Sequence, residues 1–301
     1  MMIRAFITLA LIAAAHVGDF EKEALTVEVI PAPTSGTLSI LTYNVAGLPG
    51  LVSQSRPKQN TPKIAPRLGN YDVAVVQEDF CYHAALDAGA PHAFRSVPEH
   101  FPGCTIFAGP NKDMGDGLNR FSHTATTAVE RHDWTACNGT FSCGTDCMAP
   151  KGFTRAVHQV APGVEVDIYN LHMDSGTCDG DITARQAQFA QLVSVIERDS
   201  AGRAVIVAGD TNFSADIPTD VETYRAGLRR AGLSDACEVT GCKVALLDRI
   251  MVRSSPTVRL TVSAWNVPSG FTDHRGRPLS DHAPVAANVR WSRTNPQVAA
   301  R

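Results

Sequence analysis

The sequence predicts an α/β protein in which two mixed β-sheets pack face to face and carry helices on their outer faces. Strand-like apolar runs outnumber the helical segments. Several of these runs are adjacent and separated by short turns such as Ala161-Pro162-Gly163, which favours antiparallel pairing. Each of the two amphipathic helices is followed by another strand-like run. Two packed sheets accommodate this order better than one all-parallel sheet.

Apolar runs that end at turn or polar residues define the predicted strands. They cover 38–44, 72–77, 153–160, 164–171, 204–209, 246–252, 257–263 and 284–291. Helical spacing of apolar residues predicts helices over 181–198 and 219–231, with Asp181 available to cap the first and Gly232 to end the second. The glycine- and proline-containing stretches 109–122 and 266–280 are predicted to be long loops.

Length and composition indicate one domain. The chain has 301 residues, of which 44% are hydrophobic and 19% charged, so it can bury one large core. We place this domain at 37–292, after an irregular lead-in at 16–36 and before a flexible tail at 293–301. Residues 1–15 resemble a signal peptide, because Arg4 precedes an apolar run with small residues at its end. An N-terminal helix packed on the domain is the alternative, and the run is too short for a transmembrane segment.

The eight cysteines fit an exported protein with disulfide bonds. Four of them cluster along the chain at Cys137, Cys143, Cys147 and Cys178. Cys237 and Cys242 could close a tight loop, which leaves Cys81 and Cys104 as the remaining pair. The connectivity within the cluster cannot be deduced from the sequence, and a zinc site is the alternative.

Polar residues follow five apolar strand-like runs. The most informative run is Val-Ala-Gly-Asp-Thr-Asn at 207–212, which places a carboxylate and a carboxamide at the exit of a buried strand. The other four runs end in Asn44, in Glu78, in His172, and in the Ser-Asp-His segment that contains His282. Oxygen-bearing groups of this kind suit a hard metal ion or a phosphate. We therefore expect the five strand ends to form one convergent site.

These motifs resemble those of the endonuclease/exonuclease/phosphatase (DNase I-like) superfamily, whose members include deoxyribonuclease I, abasic-site endonucleases and neutral sphingomyelinases. The resemblance spans roughly 38–290 in the expected order. Thr211 departs from it, because the family usually carries Phe or Leu between the Asp and the Asn. The residues that carry the resemblance are Asn44, Glu78, His172, Asp210, Asn212, Asp248, Asp281 and His282. The resemblance implies a four-layer α/β/β/α sandwich and hydrolysis of a phosphate ester with Mg²⁺, or with Mn²⁺ or Ca²⁺ in its place.

A phosphodiester is a poor electrophile, so the site must neutralise its oxygens and activate a water molecule. Glu78 is the first predicted metal ligand, with Asn44 and Asp281 close by. His282, oriented by Asp248, is predicted to activate water jointly with Asp210. His172 is predicted to donate to a phosphate oxygen or to the leaving group, and Asn212 to bind the phosphate.

The substrate is harder to predict than the reaction. Asn119, Arg120 and Asp174 are candidate substrate-binding residues at the cleft, although surface contacts would also explain them. Lys-Gly-Phe at 151–153 and Gln-Glu-Asp-Phe at 77–80 resemble the sphingomyelinase and phospholipase C branch. A formal net charge of −3 does not indicate the basic groove of a duplex binder.

The favoured hypothesis is therefore a secreted, monomeric phosphodiesterase that prefers a lipid headgroup to nucleic acid and contacts a membrane peripherally. A DNase I-like endonuclease and a non-catalytic secreted binding module are the alternatives.

Overall fold

The computed structural model describes residues 32–50, 53, 55–99, 115–140, 142–244 and 246–294. The strands, in chain order, are β1 (Ser35–Asn44), β2 (Val73–Gln77), β3 (Phe94–Arg95), β4 (Asn119–Ser122), β5 (Ala125–Thr126), β6 (Glu130–Asp133), β7 (Gly152–Ala161), β8 (Val164–His172), β9 (Val205–Asp210), β10 (Ser234–Asp235), β11 (Asp248–Arg253), β12 (Val258–Asn266) and β13 (Val285–Arg293). The helices are α1 (Pro57–Leu68), α2 (His83–Gly89), α3 (Asp179–Asp199), α4 (Pro218–Ala231) and α5 (Ala236–Thr240). A short 3₁₀ helix covers Asp146–Met148.

The strands form two mixed sheets. The first sheet has the order β12-β13-β1-β2-β4-β3 and the second the order β10-β11-β9-β8-β7-β5, with β6 also pairing with β7. Each sheet has one parallel pair at its centre, β1 with β2 and β8 with β9. The remaining pairs are antiparallel, as short connections between adjacent strands predict.

Three apolar clusters arrange the elements in four layers. The central cluster joins the facing sides of the two sheets, through residues such as Ile40 and Val75 on one sheet and Ile168 and Ile206 on the other. A second cluster packs α3 and α4 on the outer face of the second sheet. A third packs α1 and α2 on the outer face of the first sheet. The predicted four-layer α/β/β/α sandwich is therefore confirmed.

Local sequence explains where the two predicted helices begin and end. Helix α3 starts two residues before the predicted position, and the Asp181 carboxylate in its first turn accepts a hydrogen bond from the Cys178 N–H at 2.9 Å. Helix α4 ends at Gly232, which has a φ of +65°. Glycine adopts this left-handed conformation without a steric penalty, as the prediction required.

The structure corrects several predicted boundaries. Strand β1 begins at Ser35, inside the predicted lead-in, and β13 extends to Arg293, inside the predicted tail. Strand β4 lies at 119–122, which the sequence analysis assigned to a loop. The predicted signal peptide lies outside the described residues, as does most of the lead-in. Every helix in the described part of the chain is too short or too polar to cross a membrane.

The topology brings the carboxyl ends of the central strands to one edge of the sandwich. In the first sheet Asn44 on β1 aligns with Gln77 on β2, and in the second sheet His172 on β8 aligns with Asp210 on β9. Beneath this edge the Gln77 amide nitrogen donates to the Asn170 amide oxygen at 2.6 Å and links the two sheets. This bond therefore connects the sheet that carries Asn44 and Gln77 to the sheet that carries His172 and Asp210.

Gly209 shows why the strand end at 207–212 needs glycine. Its φ is +154°, and a Cβ atom at this position would lie 2.2 Å from the carbonyl oxygen of Leu171 on the neighbouring strand. Any side chain would push β9 away from β8. Glycine therefore allows Asp210 to lie directly beside His172.

Candidate active site

Six of the predicted site residues meet at this edge of the sandwich. Asn44 ends β1, Glu78 follows β2, His172 ends β8, Asp210 ends β9, Asp248 begins β11 and His282 precedes β13. Residues from both sheets therefore contribute to one cluster, and the predicted convergence is confirmed for the four strand exits at Asn44, Glu78, His172 and Asp210. The predicted strand exit at the Ser-Asp-His segment is wrong, because this segment lies before β13 and reaches the cluster from the start of that strand.

Asn44 links the carboxylates of the two sheets. Its amide nitrogen donates to Glu78 Oε1 at 3.0 Å and to Asp210 Oδ2 at 3.2 Å. Its amide oxygen accepts the N–H of Ala46 at 3.0 Å. In this geometry Asn44 orients two acidic side chains and keeps its own oxygen in a local turn. This oxygen has a second lone pair, so the prediction that Asn44 is a metal ligand stays a prediction.

His282 is held between two aspartates. Its Nδ1 lies 2.7 Å from Asp248 Oδ2, and its Nε2 lies 3.7 Å from Asp210 Oδ2. Burial by itself would lower the pKa of His282, but the hydrogen bond to Asp248 and the negative charges of Asp210 and Asp248 raise it to about 10. Asp248 thus fixes the ring so that Nε2 faces the cluster, as predicted.

Two carboxyl groups of the cluster, those of Asp210 and Glu78, have raised pKa values. Burial, followed by the negative charge of Asp248, raises the pKa of Asp210 to about 6. Burial also raises the pKa of Glu78, against the stabilising hydrogen bond from Asn44. Both shifts show that negative charge is concentrated here with little solvent to stabilise it.

His172 is buried and behaves differently from His282. Its Nε2 lies 3.5 Å from Asp210 Oδ2 and 3.9 Å from Glu78 Oε1. Burial, together with the positive charges of Lys151 and His282, lowers its pKa well below the ordinary value. A neutral imidazole with one N–H can donate a hydrogen bond to an oxygen without carrying a charge.

Asn212 and Asp281 flank the cluster. Asn212 has a φ of +51°, its N–H donates to Asp210 Oδ1 at 3.0 Å, and its side-chain nitrogen donates to the Met173 carbonyl at 2.9 Å. Asp281 is exposed and accepts a hydrogen bond from Ser280 Oγ at 3.2 Å. Its charge is one of those that raise the pKa of His282, which places it at the rim of the cluster.

The donor chemistry of the cluster fits a divalent cation. Oxygens of Glu78 and Asp210 share one amide donor, and burial raises the pKa of both acids. Asp210, Asp248 and His282 each offer a ligand-type atom, all within 4.8 Å of one another. A hard cation that binds carboxylate oxygens would offset this concentration of negative charge. Glu78 and Asp210 are the residues that would hold it, because both are carboxylates whose oxygens the Asn44 amide brings together.

The structure corrects the predicted substrate-binding roles of three residues, because their side chains are buried in structural hydrogen bonds. Arg120 points between the sheets and donates to Thr154 Oγ1 at 2.8 Å and to the Ile168 carbonyl at 3.0 Å. Asn119 donates to Asp79 Oδ2 at 2.9 Å. Asp174 accepts the Gln188 amide at 2.7 Å beneath α3. The sequence placed these residues near the cleft but could not show which way their side chains face.

A cavity of about 350 Å³ opens beside Glu78 and His172. One part of its wall is apolar and consists of Leu48, Pro49, Phe80, Met148 and Ala149. Another part is polar and includes Asp146, Lys151 and Ser175. The cavity is the space in which a substrate group could lie next to the clustered acids and histidines.

Lys151 is a charged residue of this wall that the sequence analysis did not assign to the site. Its ammonium group is paired with Asp146 and donates to the Met173 carbonyl at 3.1 Å. Its positive charge is among the influences that lower the pKa values of Glu78 and Asp210. The Lys-Gly-Phe motif at the start of β7 was the signal that could have identified it.

Disulfide bonds fasten the segment that supplies this wall. Cys137 is bonded to Cys147, and Cys143 to Cys178 at the start of α3. The structure thus resolves the connectivity that the sequence left open and corrects the zinc alternative. The predicted Cys237–Cys242 pair is confirmed. The predicted pairing of Cys81 with Cys104 extends outside the described residues.

Sequence comparison identifies the family of proteins to which this fold and this cluster belong. The sequence model of the Endonuclease/Exonuclease/phosphatase family matches residues 41–282, and the chain belongs to this family.

Its relatives include sphingomyelinases. The chain is 35% identical over 300 residues to a sphingomyelinase of Mycobacterium bovis, an alignment that covers 92% of this chain and 58% of the relative. The chain thus matches little more than half the length of that relative.

Solved structures share the fold. Sphingomyelinase C from Streptomyces griseocarneus superposes with a TM-score of 0.61 and 22% identity, over 84% of this chain and 99% of the other. A beta toxin from Staphylococcus aureus, determined with bound magnesium ions, gives a TM-score of 0.60 and 15% identity, over 84% and 99% of the two chains.

Proposed function

We propose that this protein is a secreted, divalent-metal-dependent phosphodiesterase that releases a phosphorylated headgroup from a phospholipid, in the manner of a sphingomyelinase or a phospholipase C. The observation that carries this proposal is the cluster of Glu78, His172, Asp210, Asp248 and His282 beside a partly apolar cavity. The similarity to a sphingomyelinase over 92% of this chain supports the choice of substrate.

The geometry suggests how these residues divide the reaction. His282 Nε2 and the Asp210 carboxylate face each other at 3.7 Å, so a water molecule near both could be activated by the pair. The pKa of His282, at about 10, keeps its ring protonated at neutral pH, so Asp210 would accept the proton and the charged ring would stabilise the hydroxide. Asp248 holds the His282 ring in the orientation that this step needs. His172 donates its N–H to a phosphate oxygen or to the leaving oxygen, and Asn212 binds the phosphate.

Divalent metal dependence is part of the proposal. A bound Mg²⁺, or Mn²⁺ or Ca²⁺ in its place, would polarise the phosphate and favour a deprotonated water molecule. Glu78 and Asp210 would hold the ion, with Asp281 at the rim. The magnesium ions in the structurally similar beta toxin are consistent with this choice.

The preference for a lipid rests on the surroundings of the cluster. Met148 lies on the cavity wall with about half of its side chain exposed, and Leu48, Pro49 and Phe80 line the same cavity. Arg120, which could have contacted a nucleic-acid phosphate, is buried between the sheets. An apolar wall suits a lipid better than it suits a polyanionic duplex.

A parallel substrate panel tests the proposal. Purified protein is incubated with Mg²⁺ and with sphingomyelin liposomes, phosphatidylcholine liposomes or supercoiled plasmid DNA, and phosphocholine release and DNA nicking are measured. We expect phosphocholine release from at least one of the liposomes and little nicking.

Two other outcomes would contradict the proposed substrate. Efficient DNA nicking without headgroup release would support a DNase I-like endonuclease instead. Inactivity on all three substrates with Mg²⁺, Mn²⁺ and Ca²⁺ would support a non-catalytic binding module on the same fold.

Export, peripheral membrane contact and a monomeric state belong to the same proposal. The disulfide bonds Cys137–Cys147 and Cys143–Cys178 favour an oxidising compartment. An enzyme that acts on liposomes must contact their surface, and the apolar cavity wall lies beside the reacting groups.

A further inference from the structure

The backbone of Glu78 has an unusual conformation for a residue with a side chain. Its φ is +54°, in the left-handed region that residues other than glycine rarely occupy. Its carbonyl oxygen accepts the N–H groups of Gly47 at 2.9 Å and of Phe80 at 2.8 Å. A Cβ atom at Gly47 would lie 2.4 Å from that oxygen. The surroundings must therefore hold Glu78 in a conformation that it would not adopt alone.

The next residue, Asp79, is buried and fixed by hydrogen bonds. Its Oδ2 accepts Asn119 Nδ2 at 2.9 Å and lies 2.5 Å from His83 Nδ1. Its backbone N–H donates to the Gly117 carbonyl at 3.0 Å. Asn119 in turn accepts a hydrogen bond from Ser96 Oγ at 2.9 Å. We call Asp79, His83, Asn119 and Ser96 the Asp79 anchor.

The Asp79 anchor connects helix α2, strand β4 and the segment after strand β3 to the peptide that follows Glu78. His83 begins α2, Asn119 begins β4, and Ser96 directly follows β3. All four side chains are more than nine-tenths buried. Buried hydrogen bonds that converge on one carboxylate restrict its movement strongly. These side-chain bonds, together with the hydrogen bond from the Asp79 N–H to the Gly117 carbonyl, restrain the peptide that joins Glu78 to Asp79.

We propose that the Asp79 anchor positions Glu78 for binding a divalent cation, and that Asp79 and Asn119 are positioning residues that touch neither the ion nor the substrate. This inference rests on the proposed function, in which Glu78 holds the ion. Without the anchor, Glu78 can relax to an ordinary backbone conformation and move its carboxylate away from Asp210. In the intact protein Glu78 is held at two points. Asn44 donates a hydrogen bond to its side-chain oxygen, and the anchor restrains the backbone at the next residue, Asp79.

The test measures Mg²⁺ binding to the substrate-free protein by isothermal titration calorimetry. Asp79→Ala and Asn119→Ala remove the anchor, and Asp79→Asn conserves its shape and one oxygen acceptor. We expect the alanine variants to raise the dissociation constant for Mg²⁺ roughly 10- to 100-fold, as for other residues that orient a metal ligand, and Asp79→Asn to raise it less. Activity of the alanine variants should recover toward the wild-type kcat when Mg²⁺ is saturating.

Tyr169→Phe is the matched control for a loss of buried hydrogen bonding. It removes the hydrogen bond between Tyr169 and Ser200, 2.7 Å long, on the helix-covered face of the second sheet. This variant should lower Tm and leave the dissociation constant for Mg²⁺ unchanged. Ser96→Ala is a milder anchor variant that removes the hydrogen bond to Asn119 and the acceptor of the Arg120 N–H. It provides the comparison if the alanine variants at 79 and 119 do not fold.

The outcomes distinguish this inference from the function on which it rests. Wild-type affinity for Mg²⁺ in the folded anchor variants, Ser96→Ala included, would overturn the positioning role and leave the proposed phosphodiesterase intact. The positioning role would also be overturned if Tyr169→Phe lost as much Mg²⁺ affinity as an anchor variant with the same loss of Tm. General destabilisation would then explain the effect. A wild-type protein that binds no Mg²⁺, Mn²⁺ or Ca²⁺ would overturn the proposed function and this inference together.

Discussion

At the residue scale, the proposed chemistry depends most on His282, since its ring faces Asp210 and is oriented by Asp248. His282→Ala removes the group that acts on the water together with Asp210. We expect kcat of the folded variant to fall by a factor of about 10² to 10⁴, the usual contribution of a general base or acid. Tm should also fall, because the buried Asp248 and Asp210 carboxylates lose their positively charged partner. Steady-state hydrolysis of the preferred substrate at saturating Mg²⁺ measures this effect.

His123→Ala is a suitable control for this variant. His123 is exposed, and its N–H donates to the Asp72 carbonyl just before β2, at the edge of the sheet away from the cluster. It should keep the wild-type kcat. Full activity of His282→Ala would remove His282 from the mechanism.

The sequence predicted the acidic and histidine residues of the cluster well, because each follows or precedes a strand that ends at the same edge. It could not predict the direction of side chains on β4. Arg120 and Asn119 lie in consecutive positions, yet one points between the sheets and the other toward Asp79. Residue type alone suggested phosphate binding, and only the packing of β4 shows that both are structural.

Among the secondary-structure elements, strands β4 and β7 place the buried guanidinium group of Arg120 against the buried side chain of His158. Arg120 Nη1 lies 3.2 Å from His158 Nε2, and Thr124 Oγ1 lies 3.0 Å from His158 Nδ1. Burial, followed by the positive charge of Arg120, lowers the pKa of His158 well below 6.5. The layer between the sheets thus keeps this histidine neutral.

This arrangement makes stability depend on pH. Below about pH 6.5 the unfolded chain gains a proton at His158 that the folded protein does not accept, so stability is present above this pH and is lost as the pH falls. By pH 5 the loss can be at most about 2 kcal/mol, since each pKa unit corresponds to about 1.4 kcal/mol.

His158→Gln should abolish this contribution, because glutamine can still accept from Arg120 and donate to Thr124 without titrating. Urea unfolding of the wild type and the variant at pH 7.5 and pH 5 measures the difference. His274→Gln, at an exposed position, serves as the control and should keep the wild-type pH dependence. An identical pH dependence in His158→Gln would show that His158 does not cause the acid sensitivity.

Several helices and strands could not be predicted from the sequence, for local reasons. Helix α1 begins at Pro57 and contains Pro62 and Pro66, and internal prolines normally argue against a helix. Tertiary packing prevails here, because Ile64, Ala65 and Leu68 bury an apolar face against the first sheet. Helices α2 and α5 and strands β3 and β10 are too short for a periodic signal.

At the scale of the whole molecule, function depends on two sheets being held in register. Each sheet supplies acidic groups to the cluster, and the hydrogen bond between Gln77 and Asn170 connects the sheets directly beneath it. Ordered motifs along the sequence predicted the four layers, because they resemble a family with that architecture. The contacts between layers could not be predicted, since they join residues far apart in sequence, such as Asn44 with Asp210.

The proposed function requires these side chains to bind one divalent cation and to break a phosphodiester bond. Hydrolysis of bis-p-nitrophenyl phosphate, followed in Mg²⁺, after addition of EDTA and after excess Mg²⁺ is restored, tests it most directly because it does not depend on the natural substrate. We predict that Mg²⁺ supports hydrolysis, that EDTA abolishes it and that restored Mg²⁺ recovers it. Hydrolysis that persists in EDTA, or none with Mg²⁺, Mn²⁺ or Ca²⁺, would contradict the claim.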